Sequence, residues 1–289
     1  MLKPWLTILF LSVLPIATAQ EKNITLEDIW NGSFRTERME VLHSMDNGQQ
    51  YSVLNFNRFT RSTSVDLYDY KTQSKVQSLV DSKDLEAIAY FTNYNFSDDE
   101  SKILLASEVE SIYRRSTLGL FFVYDLALKK LQKISDYKIQ EPTFSPDGSK
   151  VAYGYKNNLY VKDLETGQTK QITFDGEKNK IINGITDWVY EEEFAFVRAY
   201  EWNADGQKIA FLRFDETLVP EFSMDVYGRA LYQTQQVFKY PKAGEKNAVV
   251  SLYVWDLNTD STTKVKLQKP YNDFYIPRIK WTSDASVLS

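Results

Sequence analysis

One turn pattern recurs along the chain and constrains its fold more than any other feature. A turn containing Asp, usually with Gly, precedes an apolar segment at Asp46, Asp98, Asp147 and Asp205, and again at Asp284. The first four turns lie about 50 residues apart, which is the length of one blade in a β-propeller. The spacing therefore predicts a series of blade-sized repeats.

Each repeat also contains an aromatic-rich segment that ends in Asp, at Asp69, Asp125, Asp163 and Asp256. A polar turn and a further short apolar segment follow it. Strands and turns at this spacing are typical of a four-stranded antiparallel blade. Alternating apolar residues, as in residues 151–155, indicate strands buried between neighbouring blades.

We therefore expect an all-β fold in which residues 46–289 form an incomplete propeller. Residues 20–45 are predicted to be a lead-in, with Ile24–Trp30 as a short helix or an extended segment. Because an apparent fifth-blade strand stops at Val287–Ser289 and an open half-propeller exposes a strand edge, we expect a fragment of a longer protein.

The long gap before the fifth turn predicts an inserted arm at residues 221–248. Its aromatic residues are too numerous for a solvated linker, and an exposed aromatic arm usually docks on something. Two interpretations stay open, in which the arm folds back on its own blade or contacts another chain.

The composition excludes several functional classes. A net charge of −5 argues against a nucleic-acid surface, which requires a basic field. The chain has no Cys, which excludes disulfides, thiolate zinc sites and cysteine nucleophiles, and its single His, His43, excludes a multi-histidine metal site. We expect neither a cofactor nor a metal.

The first residues are typical of a secretory signal peptide. Lys3 precedes an apolar run from Trp5 to Ile16, and Ala17–Ala19 supplies small residues for cleavage. The run is too short to span a bilayer of roughly 30 Å as a helix. We predict a signal peptide at residues 1–19 and a mature protein that is periplasmic or secreted.

Three consecutive carboxylates, Glu191, Glu192 and Glu193, follow an aromatic segment that begins at Asp187 and includes Trp188. Asp187 can cap a short helix, and acidic residues are favoured near a helix N-terminus. On a helix, neighbouring carboxylates lie about 100° apart and can converge on one ligand, whereas on a strand they point to opposite faces. At least one should lie near a buried or concave surface, where the cluster attracts a cation.

Four strings in this region resemble the N-terminal propeller region of the dipeptidyl peptidase IV branch of the prolyl oligopeptidase family. The first, D-W-V-Y-E-E-E, is specific to that branch. The resemblance covers the chain from about Ile24 to its end. The strings are Asp187–Glu193, Trp202–Phe211, Phe214–Pro220 and Tyr240–Gly244.

The resemblance implies a recognition half of a serine dipeptidyl aminopeptidase that removes Xaa-Pro or Xaa-Ala dipeptides, with an eight-bladed propeller and an α/β-hydrolase domain downstream. It implies that Glu192 and Glu193 hold the amine of a peptide substrate with a free N-terminus and that Glu191 supports them. Arg114 would bind a substrate carbonyl, with Arg115 as its rival.

The same resemblance implies supporting roles for Asp187, Trp188 and Tyr190 in the aromatic segment, and a homodimer contact through the arm at 221–248. No catalytic residue is predicted in this chain, because it contains no Gly-x-Ser-x-Gly elbow and His43 lies beside no candidate nucleophile. The alternative function is a non-enzymatic periplasmic binding or scaffold propeller.

Overall fold

The computed structural model describes residues 23–36, 40–267 and 274–289. The chain divides into two compact units, residues 1–40 and 41–289. The predicted signal peptide lies outside the described residues. None of the described helices is long and apolar enough to cross a membrane.

The described part of the first unit contains one short helix, α1 (Leu26–Trp30). The Thr25 hydroxyl accepts a hydrogen bond from the Asp28 amide, and the Asp28 carboxylate accepts one from the Thr25 amide. This reciprocal capping supplies partners for two amides that a helix start leaves unpaired. Of the two forms predicted here, the helix is confirmed.

The described residues of the second unit form four antiparallel blade sheets that follow one another along the chain. The first consists of β1 (Leu42–Ser44), β2 (Gln50–Asn57), β3 (Ser62–Asp69) and β4 (Lys75–Asp81), with a 3-10 turn after it at Ser82–Asp84. The second consists of β5 (Asn93–Phe96), β6 (Lys102–Ser111), β7 (Thr117–Asp125) and β8 (Lys130–Lys133).

The third sheet consists of β9 (Gln140–Phe144), β10 (Lys150–Tyr155), β11 (Asn158–Asp163) and β12 (Thr169–Gln171). The fourth consists of β13 (Ile181–Asn183), β14 (Tyr200–Trp202), β15 (Lys208–Asp215), β18 (Val249–Asp256) and β19 (Ser261–Lys264). The all-β fold with four-stranded antiparallel blades is confirmed, as expected for part of a propeller.

The first blade begins earlier than the turn pattern predicts. Strand β1 pairs with β2, with Leu42 opposite Val53 and Ser44 opposite Tyr51. The lead-in predicted for residues 20–45 therefore ends before Leu42. The turn marks the connection between two strands of one blade, so the strand before it belongs to the same sheet.

The repeated turns are held by the same side-chain chemistry. In the second blade the Ser97 hydroxyl and the Ser101 amide both donate to the Asp99 carboxylate, at 2.6 and 3.1 Å. In the third blade Ser145 donates to Asp147 at 2.6 Å, and Gly148 follows with a φ of +62°. These Asp residues pair backbone and hydroxyl groups of their own turns, which agrees with their prediction as turn residues.

The core lies between successive blades. One buried cluster joins the first and second sheets through Val65 and Ile103, and another joins the third and fourth through Leu159 and Phe211. These residues lie on alternating strand positions whose side chains point toward the neighbouring sheet. Burial between blades, as predicted from the alternation, is confirmed.

Two insertions interrupt the fourth sheet. Strands β13 and β14 both pair with β15, while β18 pairs along its length from Lys208 to Asp215. Because β18 occupies one edge of β15, β13 and β14 share the other, and residues 184–199 leave the sheet between them. The second insertion is a hairpin of β16 (Glu221–Val226) and β17 (Thr234–Lys239), inside the predicted arm.

Candidate functional site

The segment between β13 and β14 carries the acidic triplet on helix α2 (Trp188–Glu193). The Asp187 carboxylate accepts a hydrogen bond from the Tyr190 amide at 2.9 Å, so the predicted helix and its predicted cap are both confirmed. A pairing between Ile185 and Arg198 closes the base of the segment. The helix therefore projects from the edge of the fourth sheet.

Entry into this segment requires glycine. Gly184 has a φ of +70°, and a Cβ there would lie 2.5 Å from the Leu159 side chain. Both the left-handed backbone and the close approach exclude larger residues. The start of the segment therefore packs against Leu159 of the third blade.

Glu191 is the buried member of the triplet, with 1% of its surface exposed. Its Oε1 atom accepts hydrogen bonds from the amides of Arg115, at 2.6 Å, and Ser116, at 2.9 Å. The Arg115 Nε atom also donates to the Glu191 carbonyl at 3.3 Å. One carboxylate thus joins α2 to the loop between β6 and β7, which agrees with the expectation that one of the three would be buried.

Glu192 lies beside that loop and forms an ion pair with Arg114, with 3.0 Å between Oε2 and Nε. The Arg114 side chain is 71% exposed and that of Glu192 only 17%. An ion pair with so exposed a guanidinium contributes little to stability. Glu193 is exposed, at the C-terminal end of the helix.

The two remaining predicted residues of the segment anchor the helix. Tyr190 is buried, accepts a hydrogen bond from the Ile276 amide at 2.8 Å, and packs against the rings of Phe194 and Phe214. Trp188 is half-buried and points to the arm, where its ring lies 4.5 Å from that of Tyr240. The aromatic residues of the motif therefore fix α2 on two sides.

A cavity of about 660 Å³ lies beside α2, and Tyr113, Asp187, Glu191 and Glu216 contribute to its wall. Burial raises the pKa of Asp187 to about 6, against the opposing effect of the Tyr190 amide. Burial and then the charge of Asp187 raise the pKa of Glu216 to about 7. Burial and the nearby carboxylates raise the pKa of the Tyr113 hydroxyl to about 12.

Three charged residues, Glu141, Arg198 and Glu216, were not predicted as site residues from the sequence. Glu141 has a raised pKa because it is buried, although the Arg198 charge opposes that shift and Glu191 adds to it. The Tyr200 hydroxyl binds the Glu141 carbonyl and, at 2.8 Å, the Ala152 carbonyl. Glu141 and Arg198 occur in strand-like segments without a motif, so no spacing marks them in the sequence.

The described residues contain no group of three or more His, Cys, Asp or Glu side chains arranged to hold a metal ion. The arrangement offers instead carboxylates of different exposure around one guanidinium. Such groups form charge-assisted hydrogen bonds with an ammonium and a carbonyl. The described site therefore combines negative charge with one exposed guanidinium beside a cavity.

Comparisons with known proteins show the family to which the chain belongs. The family model for the dipeptidyl peptidase IV N-terminal region matches residues 97–289. Human prolyl endopeptidase FAP is 30% identical over 91% of this chain and 35% of its own length. Rat inactive dipeptidyl peptidase 10 is 26% identical over 98% of this chain and 36% of its own length.

A solved structure is similar as well. The crystal structure of Porphyromonas gingivalis dipeptidyl peptidase 4 matches with a TM-score of 0.84 and 36% identity, over 93% of this chain and 38% of that one. The chain thus spans about a third of the length of the curated relatives it matches. From the family model and the structural match, the chain belongs to the dipeptidyl peptidase IV N-terminal region family.

Proposed function

We propose that this chain is the substrate-recognition part of an exported serine dipeptidyl aminopeptidase, and that Glu192 and Glu193 hold the N-terminal ammonium of its peptide substrate. The observation that carries the proposal is the pairing of Glu192 with Arg114, two residues from different blades. The family contains peptidases of this type, which supports the reaction class.

The chemistry of a peptide N-terminus fits these residues. At neutral pH the amine is an ammonium that donates hydrogen bonds to carboxylates, and such charge-assisted bonds are the strong ones. Arg114 can donate to the carbonyl of the first or second substrate residue while Glu192 accepts from the amine. Holding the amine fixes its distance to the scissile bond, so the enzyme removes two residues at a time.

Glu191 serves this site without contacting the substrate. Its Oε1 atom accepts hydrogen bonds from the Arg115 and Ser116 amides, so this oxygen has little capacity left for a ligand. By joining the loop to α2 it keeps Arg114 within reach of Glu192. Asp187 holds the first turn of the same helix. These residues orient the binding groups, and preorganised groups bind with a lower entropic cost.

The nucleophile belongs, in this proposal, to an α/β-hydrolase domain encoded downstream. The 289 residues contain no Gly-x-Ser-x-Gly elbow, so the chain alone is expected to be inactive. Preference for Pro or Ala at the second position, export through the segment at 1–19, and a homodimer contact through the arm at 221–248 are parts of the same proposal.

The second candidate is a non-enzymatic propeller that binds a partner amine at the same carboxylates. It is favoured by the similarity to rat inactive dipeptidyl peptidase 10, which extends over 98% of this chain. The chain is thus similar both to a protein named as a peptidase and to one named as inactive. The two candidates differ in whether binding leads to cleavage.

The test is hydrolysis of a chromogenic Gly-Pro amide by this chain and by the full-length protein. Activity in the full-length protein alone supports the recognition role. In that protein, Glu192→Ala or Glu193→Ala should lower kcat/KM about 100-fold or more, as for loss of a charged hydrogen-bonding partner. Near-normal cleavage by both variants would end the amine assignment, and no cleavage by the full-length protein would favour the binding module.

A further inference from the structure

The arm hairpin is exposed along nearly all of its length. Every residue of β16 is exposed, and along β17, all of which is described, Phe238 is the buried residue, with 8% of its surface accessible. Two polar contacts fix the base of the hairpin. Lys239 Nζ donates to the Val219 carbonyl at 2.8 Å, and the Tyr240 amide donates to the Pro220 carbonyl at 3.0 Å.

Phe238 is buried because it packs against other rings. Its centroid lies 5.7 Å from Tyr113 and 6.5 Å from Trp188, and Phe222 lies 6.0 Å away on the paired strand. Tyr240 extends this cluster through its contact with Trp188. Tilted and edge-to-face rings at these separations attract each other beyond the effect of burial. We call these five residues the ring cluster.

Two members of the ring cluster belong to the proposed amine site. Trp188 is the first residue of α2, directly after the cap Asp187. Tyr113 directly precedes Arg114 in the loop that Glu191 joins to the helix. The arm therefore contacts both the helix that carries Glu192 and the loop that carries its partner.

We propose that the arm is a positioning element of the amine site, and that Phe238 holds α2 and the Arg114 loop in the arrangement that Glu192 and Arg114 need. The proposal rests on the proposed function for the amine. The Glu191 hydrogen bonds join helix and loop at one end, and the ring cluster joins them at the other. Loss of either should leave both elements in place but less ordered.

The matched variants are Phe238→Ala and Tyr232→Ala in the full-length protein. Both replace an aromatic residue of the arm, but Tyr232 is 78% exposed and lies outside the ring cluster. Phe238→Leu keeps an apolar side chain and tests whether filling the space restores order, and it also covers the case in which Phe238→Ala fails to fold.

Two readouts are needed. Amide hydrogen exchange should become about tenfold faster at residues 112–116 and 188–194 in Phe238→Ala, stay unchanged in Tyr232→Ala, and be intermediate in Phe238→Leu. The KM for a Gly-Pro amide should rise about tenfold with kcat within about twofold, because the amine is held in both ground and transition states.

Unchanged exchange in both segments, in variants that have lost the Phe238 contacts, would overturn the positioning role. A fall in kcat without a rise in KM would overturn it as well. Faster exchange together with normal cleavage by Glu192→Ala would leave the positioning role intact and remove the amine assignment, so the two proposals can fail separately.

Discussion

Two sets of carboxylates in this molecule have opposite surroundings. In the blade turns, the Ser97 hydroxyl and neighbouring donors lower the pKa of Asp99 to about 2. Beside α2, burial raises the pKa of Asp187 to about 6 and that of Glu216 to about 7. The first set is stabilised in its charged form by its own turn. The second set is held in a position where charge is unfavourable, and such groups are frequent at binding sites.

Within α2, adjacent carboxylates also differ, in their burial and in their hydrogen-bond partners. Glu191 is buried and accepts hydrogen bonds from two backbone amides at Oε1, whereas Glu192 is partly exposed and pairs with an exposed guanidinium. A carboxylate that satisfies the protein's own donors is structural, and one whose partner can move is available to a ligand. Burial and hydrogen bonding, rather than position in the motif, separate the two roles.

Removal of the buried carboxylate should have the largest effect on stability. Glu191→Ala leaves the Arg115 and Ser116 amides without an acceptor, at a cost of about 1–3 kcal/mol for each buried group. Glu191→Gln keeps an acceptor oxygen and should retain most of the stability. Thermal melting of both variants measures the difference, and equal melting temperatures would show that the two amides find other partners.

The pH dependence of Glu216 should be the next largest effect. Its pKa rises from 4.5 in the unfolded chain to about 7 in the folded one, so the folded state binds the proton more tightly. Its contribution to stability is present below about pH 4.5 and is lost as the pH rises to 7, by about 1–3 kcal/mol. Glu216→Gln should therefore raise the melting temperature at pH 8 more than at pH 5.

The control for this pH profile is Glu86→Gln, which changes an exposed residue. Other charged or titratable residues affect Glu216 or line the same cavity, and none of them is replaced in either variant. They are Asp187, Asp215, Lys239, Tyr113 and Glu191. If the change in melting temperature between pH 5 and pH 8 were identical in the wild type and in Glu216→Gln, the raised pKa of Glu216 would be contradicted.

Replacing each of the two arginines in the loop should separate a residue that binds the ligand from one that supports the structure. The expected effects are smaller than those above. Arg114→Ala should reduce kcat/KM for a Gly-Pro amide about tenfold in the full-length protein, because it removes the exposed partner of Glu192. Arg115→Ala should have a mild effect, since its amide still donates to Glu191 after the change. The reverse order would assign the binding role to Arg115.

The smallest effect is expected in the blade turns. Asp99→Ala removes an acceptor for Ser97 and Ser101 and should cost about 1 kcal/mol, since the turn is solvent-exposed and water replaces part of the loss. Its contribution should also fade as the pH falls from about 4 to 2, because the folded pKa lies below the unfolded one. Cleavage of a Gly-Pro amide should stay unchanged.

The sequence predicted those parts of the structure that have a local signature. The Asp turns predicted the blades, and Asp187 before an aromatic and acidic run predicted a capped helix. Strand β1 was missed because Leu42–Ser44 is short and precedes the turn that marks its blade. The arm at 221–248 was predicted, but not that Phe238 would be the residue that anchors it.

The contacts that organise the site have no such signature. Glu191 binds backbone amides of Arg115 and Ser116, and backbone donors are the same at every residue. Glu141 occurs singly and Glu216 follows Asp215, and acidic residues of either kind are most often exposed. Glu216 is buried and Glu141 partly buried by segments distant in the sequence, which only the three-dimensional arrangement brings together.

The most direct test of the amine assignment compares a Gly-Pro amide with its analogue in which a hydroxyl replaces the terminal amine. The wild-type full-length protein should prefer the amine substrate roughly 100-fold or more in kcat/KM. A variant with Glu192→Gln and Glu193→Gln should lose most of that preference while still cleaving both. An unchanged preference in the variant would contradict the claim that these carboxylates hold the ammonium.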